Sequence, residues 1–151
     1  MSERVVYMNG EMVRESDAKI SIYDSALMFG DMVFEMTRSF DQHQFKLSEH
    51  IERLYNGLRI LRIPIDISPA ELEDICLQTV DVNMASFAPD DEHRLMIDVS
   101  RGLLDIYSGI PGLHRGVNII VADFPLRWTV SGMGELFEHG INAVIPSQRT
   151  I

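Results

Sequence analysis

The residues of this sequence most able to do chemistry are charged side chains that stand within segments otherwise made of core-forming residues. They are Asp31, Glu35, Arg38, Arg53, Asp98 and Arg101. A charge in such a context must be paired or hydrogen-bonded, because burying it alone costs several kcal/mol. A structural ion pair or an edge charge accounts for Glu35 and Arg38. A solvated helix position accounts for Arg53 when that residue is taken alone.

The sequence lacks the motifs of most other kinds of site. It contains no glycine-rich phosphate loop, zinc-ligand spacing, nucleophile elbow or Cys–His pair. The five histidines lack the i, i+4 pairing typical of metal ligands, so no metal is expected. The single cysteine, Cys76, lies in an apolar helical pattern, which indicates a small core residue and excludes a disulfide framework.

Composition and charge limit the class of protein. The chain has 151 residues, 46% of them hydrophobic, which is enough for one sizeable core. Its formal net charge is -10, from 23 acidic and 13 basic residues, so nucleic acid and anionic membranes are not expected as partners. The sequence has neither an apolar run of roughly 18 residues nor a signal peptide. These features predict a soluble cytoplasmic protein.

The elements that must position the charged residues alternate between strands and helices. The segment "VVYMNGEMV" predicts a hairpin over residues 5–13, because Asn9 and Gly10 favour a type I′ turn. Residues 33–40 alternate as a strand, and "DQHQFKL" turns the chain back into a second hairpin. Residues 93–102 and 117–124 predict two further strands. We therefore expect an α+β domain with a mostly antiparallel sheet flanked by helices.

Two helices are predicted in the middle of the chain. In the first, Ser48 is the candidate N-cap, and one apolar stripe is formed by Ile51, Leu54, Leu58 and Leu61. The second begins with a capping box, Ser68 to Glu71, with Pro69 at its first position. Its inward positions are Leu72, Ile75, Cys76, Thr79 and Val80.

The carboxyl-terminal part of the sequence predicts a linker followed by the start of another unit. The segment "PLRWTVSGMG" is rich in turn-forming residues. After it we expect a short helical piece, a stop at Gly140 and one strand. The expected organisation is a domain over 1–123, a linker over 124–132, and the incomplete start of a second domain over 133–151.

The segments "DSALMFGDMVFEMTRSF" and "FKLSEHIERL", followed by "SRG" and "FPLRW", resemble class IV (fold-type IV) pyridoxal-phosphate aminotransferases. That family includes branched-chain and D-amino-acid aminotransferases, (R)-selective amine transaminases and aminodeoxychorismate lyase. Each motif is short, but their order and spacing together are specific. The resemblance covers nearly the whole chain and implies the amino-terminal domain of such an enzyme.

The resemblance assigns roles to particular residues. It implies that Arg53 binds the cofactor phosphate, with its guanidinium facing inward toward a cleft beside Phe34. It also implies that Gly30 lets backbone come close to the substrate pocket, where a side chain would intrude. Phe29 and Phe34 are implied to line the substrate pocket. Glu35 and Arg38 are implied to be structural residues that support the pocket. The remaining substrate-binding candidates are Arg94 and Arg101, which compete for the substrate carboxylate, and Trp128, near the interdomain loop. The segment after Arg101 lacks the Arg-x-His signature of D-amino-acid aminotransferases, which argues against that specificity.

The family also implies a catalytic lysine that this chain does not supply. Its only lysines, Lys19 and Lys46, do not stand in the family's Schiff-base position. We therefore expect no catalytic residue here, and a chain that ends before the family's lysine and is inactive by itself.

The whole protein is expected to move an amino group between an amino acid, of branched-chain type, or an amine and a 2-oxo acid. We expect it to use pyridoxal 5'-phosphate and to form a homodimer. The alternatives are a lyase of the aminodeoxychorismate type and a non-catalytic domain that associates with itself.

Overall fold

The structure is a computed structural model that describes residues 3–145 and 147. The strands are β1 (Val5–Met8), β2 (Glu11–Arg14), β3 (Met32–Phe40), β4 (His43–Gln44), β5 (His93–Ser100) and β6 (Asn118–Pro125). The α-helices are α1 (Ser25–Phe29), α2 (Leu47–Leu61), α3 (Pro69–Asn83) and α4 (Leu126–His139). Short 3₁₀ turns lie at Glu15–Asp17, Met84–Ser86 and Asp105–Tyr107.

The strands form one six-stranded sheet in the order β2-β1-β6-β5-β3-β4, and every pair in it is antiparallel. Both predicted hairpins are present. Asn9 and Gly10 have φ values of 53° and 101°, as a type I′ turn requires. The expectation of an α+β domain built on an antiparallel sheet is confirmed.

Helices α2 and α3 cover one face of the sheet and form the core with it. The fully buried side chains of this core are Ile51, Leu54, Leu58, Leu72, Cys76, Leu95, Ile97, Val99 and Val121. The alternation in β5 explains its contribution, because every second residue from Leu95 to Val99 points to the helices. Burial raises the pKa of the Cys76 thiol to about 12, with a smaller contribution from Glu73.

Helix α2 begins earlier than expected. Lys46 is its N-cap residue, with φ 53°, whereas Ser48 lies inside the first turn and donates a 2.7 Å hydrogen bond to Glu73. The assignment of Ser48 as N-cap was therefore wrong. The buried stripe also begins earlier, at Leu47, and Leu61 is 42% exposed because the helix ends there with Arg62 in the left-handed region.

Helix α3 begins as predicted. The Ser68 hydroxyl accepts a 3.2 Å hydrogen bond from the Glu71 N–H, and the Glu71 carboxylate accepts one of 2.7 Å from the Ser68 N–H. This reciprocal pair satisfies two amide donors that a helix start otherwise leaves without partners. The capping box is confirmed.

The segment expected to be rich in turns is helical instead. Residues 126–139 form α4, which starts directly after Pro125 and stops at Gly140 as predicted. Its apolar residues Leu126, Val130, Met133 and Phe137 recur at helical spacing, and this pattern outweighs the cost of about 1 kcal/mol for each of its glycines. Residues 141–145 form no strand, and most of 146–151 lies outside the described residues. The domain boundaries stay a prediction.

No helix in the described part of the chain is long and apolar enough to cross a membrane.

Candidate functional site

The face of the sheet turned away from α2 and α3, here called the outer face, carries alternate residues of β3 and β5. These are Phe34, Met36 and Arg38, which stand directly opposite Asp98, Met96 and Arg94, respectively. The intervening residues Glu35 and Thr37 are buried on the helix side. One strand, β3, therefore presents polar groups to both sides of the sheet.

On the helix side, Arg53 of α2 is joined to Glu35 of β3 by two hydrogen bonds. Arg53 Nε donates to Glu35 Oε1 at 2.5 Å, and Arg53 Nη2 donates to Oε2 at 2.6 Å. His50 Nδ1 contacts the same Oε2 at 2.8 Å. The hydrogen bond from Arg53 keeps the pKa of Glu35 below its usual value against the opposing effect of burial, and His50 adds to the lowering. Glu35 in turn raises the pKa of Arg53.

Arg53 does not face inward as expected. Its side chain is 70% exposed, whereas the side chain of Glu35 is 7% exposed, so the guanidinium is held at its inner edge and is open to solvent at its outer edge. It lies on the side of β3 opposite to Phe34, because Glu35 and Phe34 point to opposite faces. The expectation of an inward guanidinium beside Phe34 was wrong.

Arg53 shares a recess of about 280 Å³ with Lys46, Glu49 and His50. Lys46 and Glu49 form an exposed ion pair at 3.6 Å. Among the described residues, no acceptor other than Glu35 contacts the Arg53 guanidinium. Arginine carries five N–H donors in a planar fork, so donors remain available for an anion in this recess. The N–H groups on the other edge of the guanidinium can donate to two oxygens of a phosphate group, so this side chain suits a phosphate ligand.

A pair of arginines lies on the outer face, where Arg38 and Arg94 stand directly opposite each other. Both line a recess of about 280 Å³ that His50 also borders. Arg94 donates to Met36 Sδ at 2.6 Å and to Thr129 Oγ1 at 2.7 Å, and Arg38 lies over the Phe40 ring at 4.0 Å. Within the described residues, neither forms a salt bridge with a carboxylate. Directly opposed like charges repel, and a bound carboxylate would relieve that repulsion.

The sequence indicated Arg38 as a charge in a core-like segment, but the resemblance assigned it to the scaffold and not to the substrate site. Its alternation with Phe34 placed it on the outer face, but its pairing with Arg94 depends on the register of two strands that are distant in the chain. His50 was noted only as lying off the apolar stripe of α2. Its position between the two recesses could not be read from helical spacing.

Arg101 lies apart from this pair, and four of its five N–H donors are occupied. It binds Asp31 at 2.6 and 3.2 Å and donates to the carbonyl oxygens of Leu61 and Arg62 at 2.8 and 2.9 Å. These contacts tie the end of β5 to the carboxyl-terminal end of α2, whose carbonyls need donors. Arg101 therefore has a structural role here, and its part in substrate binding stays a prediction.

The aromatic candidates are well separated in the chain and differ in setting. Phe29 of α1 is 66% exposed and Phe34 of β3 is 61% exposed, so both are available to a ligand or a partner surface. Trp128 of α4 stacks on Phe124 with ring centroids 6.3 Å apart, and the Arg4 guanidinium lies 4.5 Å from its ring. Trp128 is thus anchored beside the outer face, next to the residue that contacts Arg94.

Gly30 has a local structural role, and the close approach of backbone that the resemblance implies for it stays a prediction. It ends α1 with φ 70°, a left-handed conformation that favours glycine, and no described atom lies within 4 Å of a Cβ placed there. Close backbone approach is found at Gly102, where a Cβ would lie 1.8 Å from the carbonyl oxygen of Gly116.

A further cluster of polar groups surrounds Asp24 and is structural. Asp24 is buried and accepts hydrogen bonds from Ser100, Asn118 and the Ala26 N–H, so it anchors the start of α1. Within the part of the chain that the structure describes, no group of three or more His, Cys, Asp or Glu residues is arranged to hold a metal ion.

The chain is similar in sequence to known proteins. The family model of amino-transferase class IV matches residues 32–147. The branched-chain-amino-acid aminotransferase of Escherichia coli K12 is 32% identical over 146 residues, which is 94% of this chain and 45% of that protein. The D-alanine aminotransferase of Bacillus licheniformis is 33% identical over 97 residues, 64% of this chain and 32% of that protein.

A solved structure shows the same fold. The T.th. branched-chain amino acid aminotransferase, complexed with N-(5'-phosphopyridoxyl)-L-glutamate, has a TM-score of 0.65 and 25% identity. The match covers 82% of this chain and 41% of that chain. The chain thus spans less than half the length of the relatives it matches. From the family-model match over most of its residues, this chain belongs to the class IV aminotransferases.

Proposed function

We propose that this chain supplies the phosphate-binding arginine and one wall of the substrate pocket in a pyridoxal-phosphate-dependent aminotransferase of branched-chain type. The whole protein would transfer an amino group between an amino acid and a 2-oxo acid. Two of the relatives described above are branched-chain aminotransferases, which supports this choice of substrate class. We expect the 151-residue chain to show no turnover alone.

The observation that carries the proposal is the Arg53 recess. Arg53 is fixed at one edge by Glu35 and is 70% exposed, so its outer donors can bind phosphate oxygens without rearrangement of the side chain. The residues present therefore fit the phosphate of pyridoxal 5'-phosphate. When bound, that cofactor supplies the carbonyl that takes up the amino group and the ring that withdraws electrons from the reacting carbon.

The second part of the proposal concerns substrate. Arg38 and Arg94 would orient the carboxylate of the amino acid or 2-oxo acid from the outer face, where Met36, Phe45 and Leu126 of the same recess provide apolar surface beside it. Phe34, farther along the same face of β3, and Phe29 of α1 would line the pocket outside that recess. Exposed apolar side chains on α1 and β3 also support the association of two such chains, because an apolar patch of this kind is typical of an interface. We therefore propose a homodimer.

The experiment measures binding of pyridoxamine 5'-phosphate to the 151-residue chain by phosphorus NMR. This probe carries an amine instead of an aldehyde, so it does not form an imine with Lys19 or Lys46. We expect Arg53→Ala to weaken binding at least tenfold, because a hydrogen bond to a charged group contributes about 1.5–3 kcal/mol.

The matched control is Arg59→Ala, which removes another exposed arginine of α2 that contacts Asn56. It should leave binding unchanged, and pyridoxamine without phosphate should bind far more weakly than the phosphate form. Equal binding by the wild-type and Arg53→Ala chains would show that Arg53 is not the phosphate ligand.

A further inference from the structure

We propose that Glu35 is a positioning residue of the phosphate site, which holds the Arg53 guanidinium in the orientation that the phosphate requires. This inference rests on the proposed function, because it assumes that Arg53 binds the phosphate. It assigns to a carboxylate a favourable effect on the binding of an anion, which simple electrostatics would not predict.

The geometry places three hydrogen bonds on one carboxylate. Arg53 Nε, Arg53 Nη2 and His50 Nδ1 all contact Glu35 at distances of 2.5 to 2.8 Å. Arg53 and His50 lie one turn apart on α2, so both reach β3 from the same side of the helix. A single carboxylate therefore fixes two side chains that line the same recess.

The burial of Glu35 makes this arrangement rigid. Its side chain is almost fully buried under α2, in the middle of a strand paired with β5 through Ile97. The side chain of Arg53, by contrast, is long and exposed, and without an anchor it would sample many rotamers. Glu35 removes that freedom before a ligand arrives, so less conformational entropy is lost when the phosphate binds.

The positioning role and a purely electrostatic role predict opposite results. If Glu35 acted only through its charge, replacing it by a neutral residue would strengthen the binding of a dianion nearby. If Glu35 positions Arg53, the same replacement weakens binding, because one guanidinium edge is no longer fixed. A role limited to protein stability predicts no change in affinity.

The experiment compares Glu35→Gln with Glu49→Gln in the binding of pyridoxamine 5'-phosphate, again by phosphorus NMR on the 151-residue chain. Glu49 lines the same recess and loses the same charge in its variant, but it pairs with Lys46 instead of Arg53. We expect about tenfold weaker binding for Glu35→Gln, as for other residues that orient a ligand-binding side chain. Glu49→Gln removes a negative charge from the recess without releasing Arg53, so it should bind more tightly than the wild type.

A second measurement follows Arg53 directly in the absence of ligand. The Arg53 Nε–H signal should exchange slowly with water in the wild-type chain and rapidly in Glu35→Gln. A third variant, Glu35→Asp, keeps the charge but is one methylene shorter. It should also weaken binding, and it keeps the idea testable if Glu35→Gln does not fold.

The outcomes separate the two proposals. Affinity in Glu35→Gln equal to or above that of the wild type would overturn the positioning role, as would unchanged Nε–H exchange. Equal affinity in the wild-type and Arg53→Ala chains would instead overturn the phosphate site itself, and the positioning role with it.

Discussion

Replacing Gly102 by alanine should destabilise the chain far more than replacing Gly30, although both glycines have positive φ values. The angles are 78° at Gly102 and 70° at Gly30, so an alanine pays a similar backbone cost of about 1 kcal/mol at each position. The surroundings differ. A Cβ at Gly30 meets no described atom within 4 Å, whereas a Cβ at Gly102 would lie 1.8 Å from the carbonyl oxygen of Gly116.

The size of the effect follows from that difference. The neighbour of Gly102 is backbone, so the contact cannot be relieved by a side-chain rotation and the chain after β5 must move. Such overpacking costs about 1–3 kcal/mol in addition to the backbone cost. The shift would also disturb the 2.9 Å hydrogen bond from the Ser25 N–H to the Gly102 carbonyl, which holds the start of α1. We expect about 3 kcal/mol for Gly102→Ala and about 1 kcal/mol for Gly30→Ala.

Urea unfolding followed by circular dichroism measures both variants against the wild-type chain. For a chain of this size, 1 kcal/mol corresponds to a change of about 2–4 °C in Tm, so thermal melts provide an independent measurement. A free energy of unfolding for Gly102→Ala that equals that of Gly30→Ala would refute the reasoning. It would mean that the loop around Gly116 yields at no cost.

Two further predictions concern stability. Because the folded chain keeps the pKa of Glu35 below its unfolded value of about 4.3, the contribution of Glu35 is fully present at neutral pH and is lost as pH falls through the folded pKa. Unfolding free energies measured from pH 7 to pH 3 should therefore fall less steeply for Glu35→Gln, and parallel curves would contradict the role of the Arg53 pair. Removing the confirmed N-cap with Ser68→Ala should cost about 1 kcal/mol, whereas Ser48→Ala, inside α2, should cost a few tenths. The urea midpoints of the two variants measure these costs. A larger loss of stability in Ser48→Ala than in Ser68→Ala would argue against the observed start of α2.

The sequence was informative wherever the signal was local. The Asn9–Gly10 turn, the capping box at Ser68 and the alternation of β5 are all set by residues within a few positions of one another, and the structure contains each of them. Local signals failed where two patterns overlapped. The glycines of α4 suggested turns, although its apolar residues were spaced for a helix.

The partners of the charged residues were decided only by the tertiary structure. Amphipathic spacing placed Arg53 on α2, but its exposure and its bond to Glu35 depend on how α2 packs on β3. Arg38 meets Arg94 because β3 and β5 pair in one register, and a shift by one residue would send both side chains to other neighbours. Local periodicity determines which side of an element a residue occupies. Long-range packing determines which groups that residue contacts, and the chemistry of this site depends on those contacts.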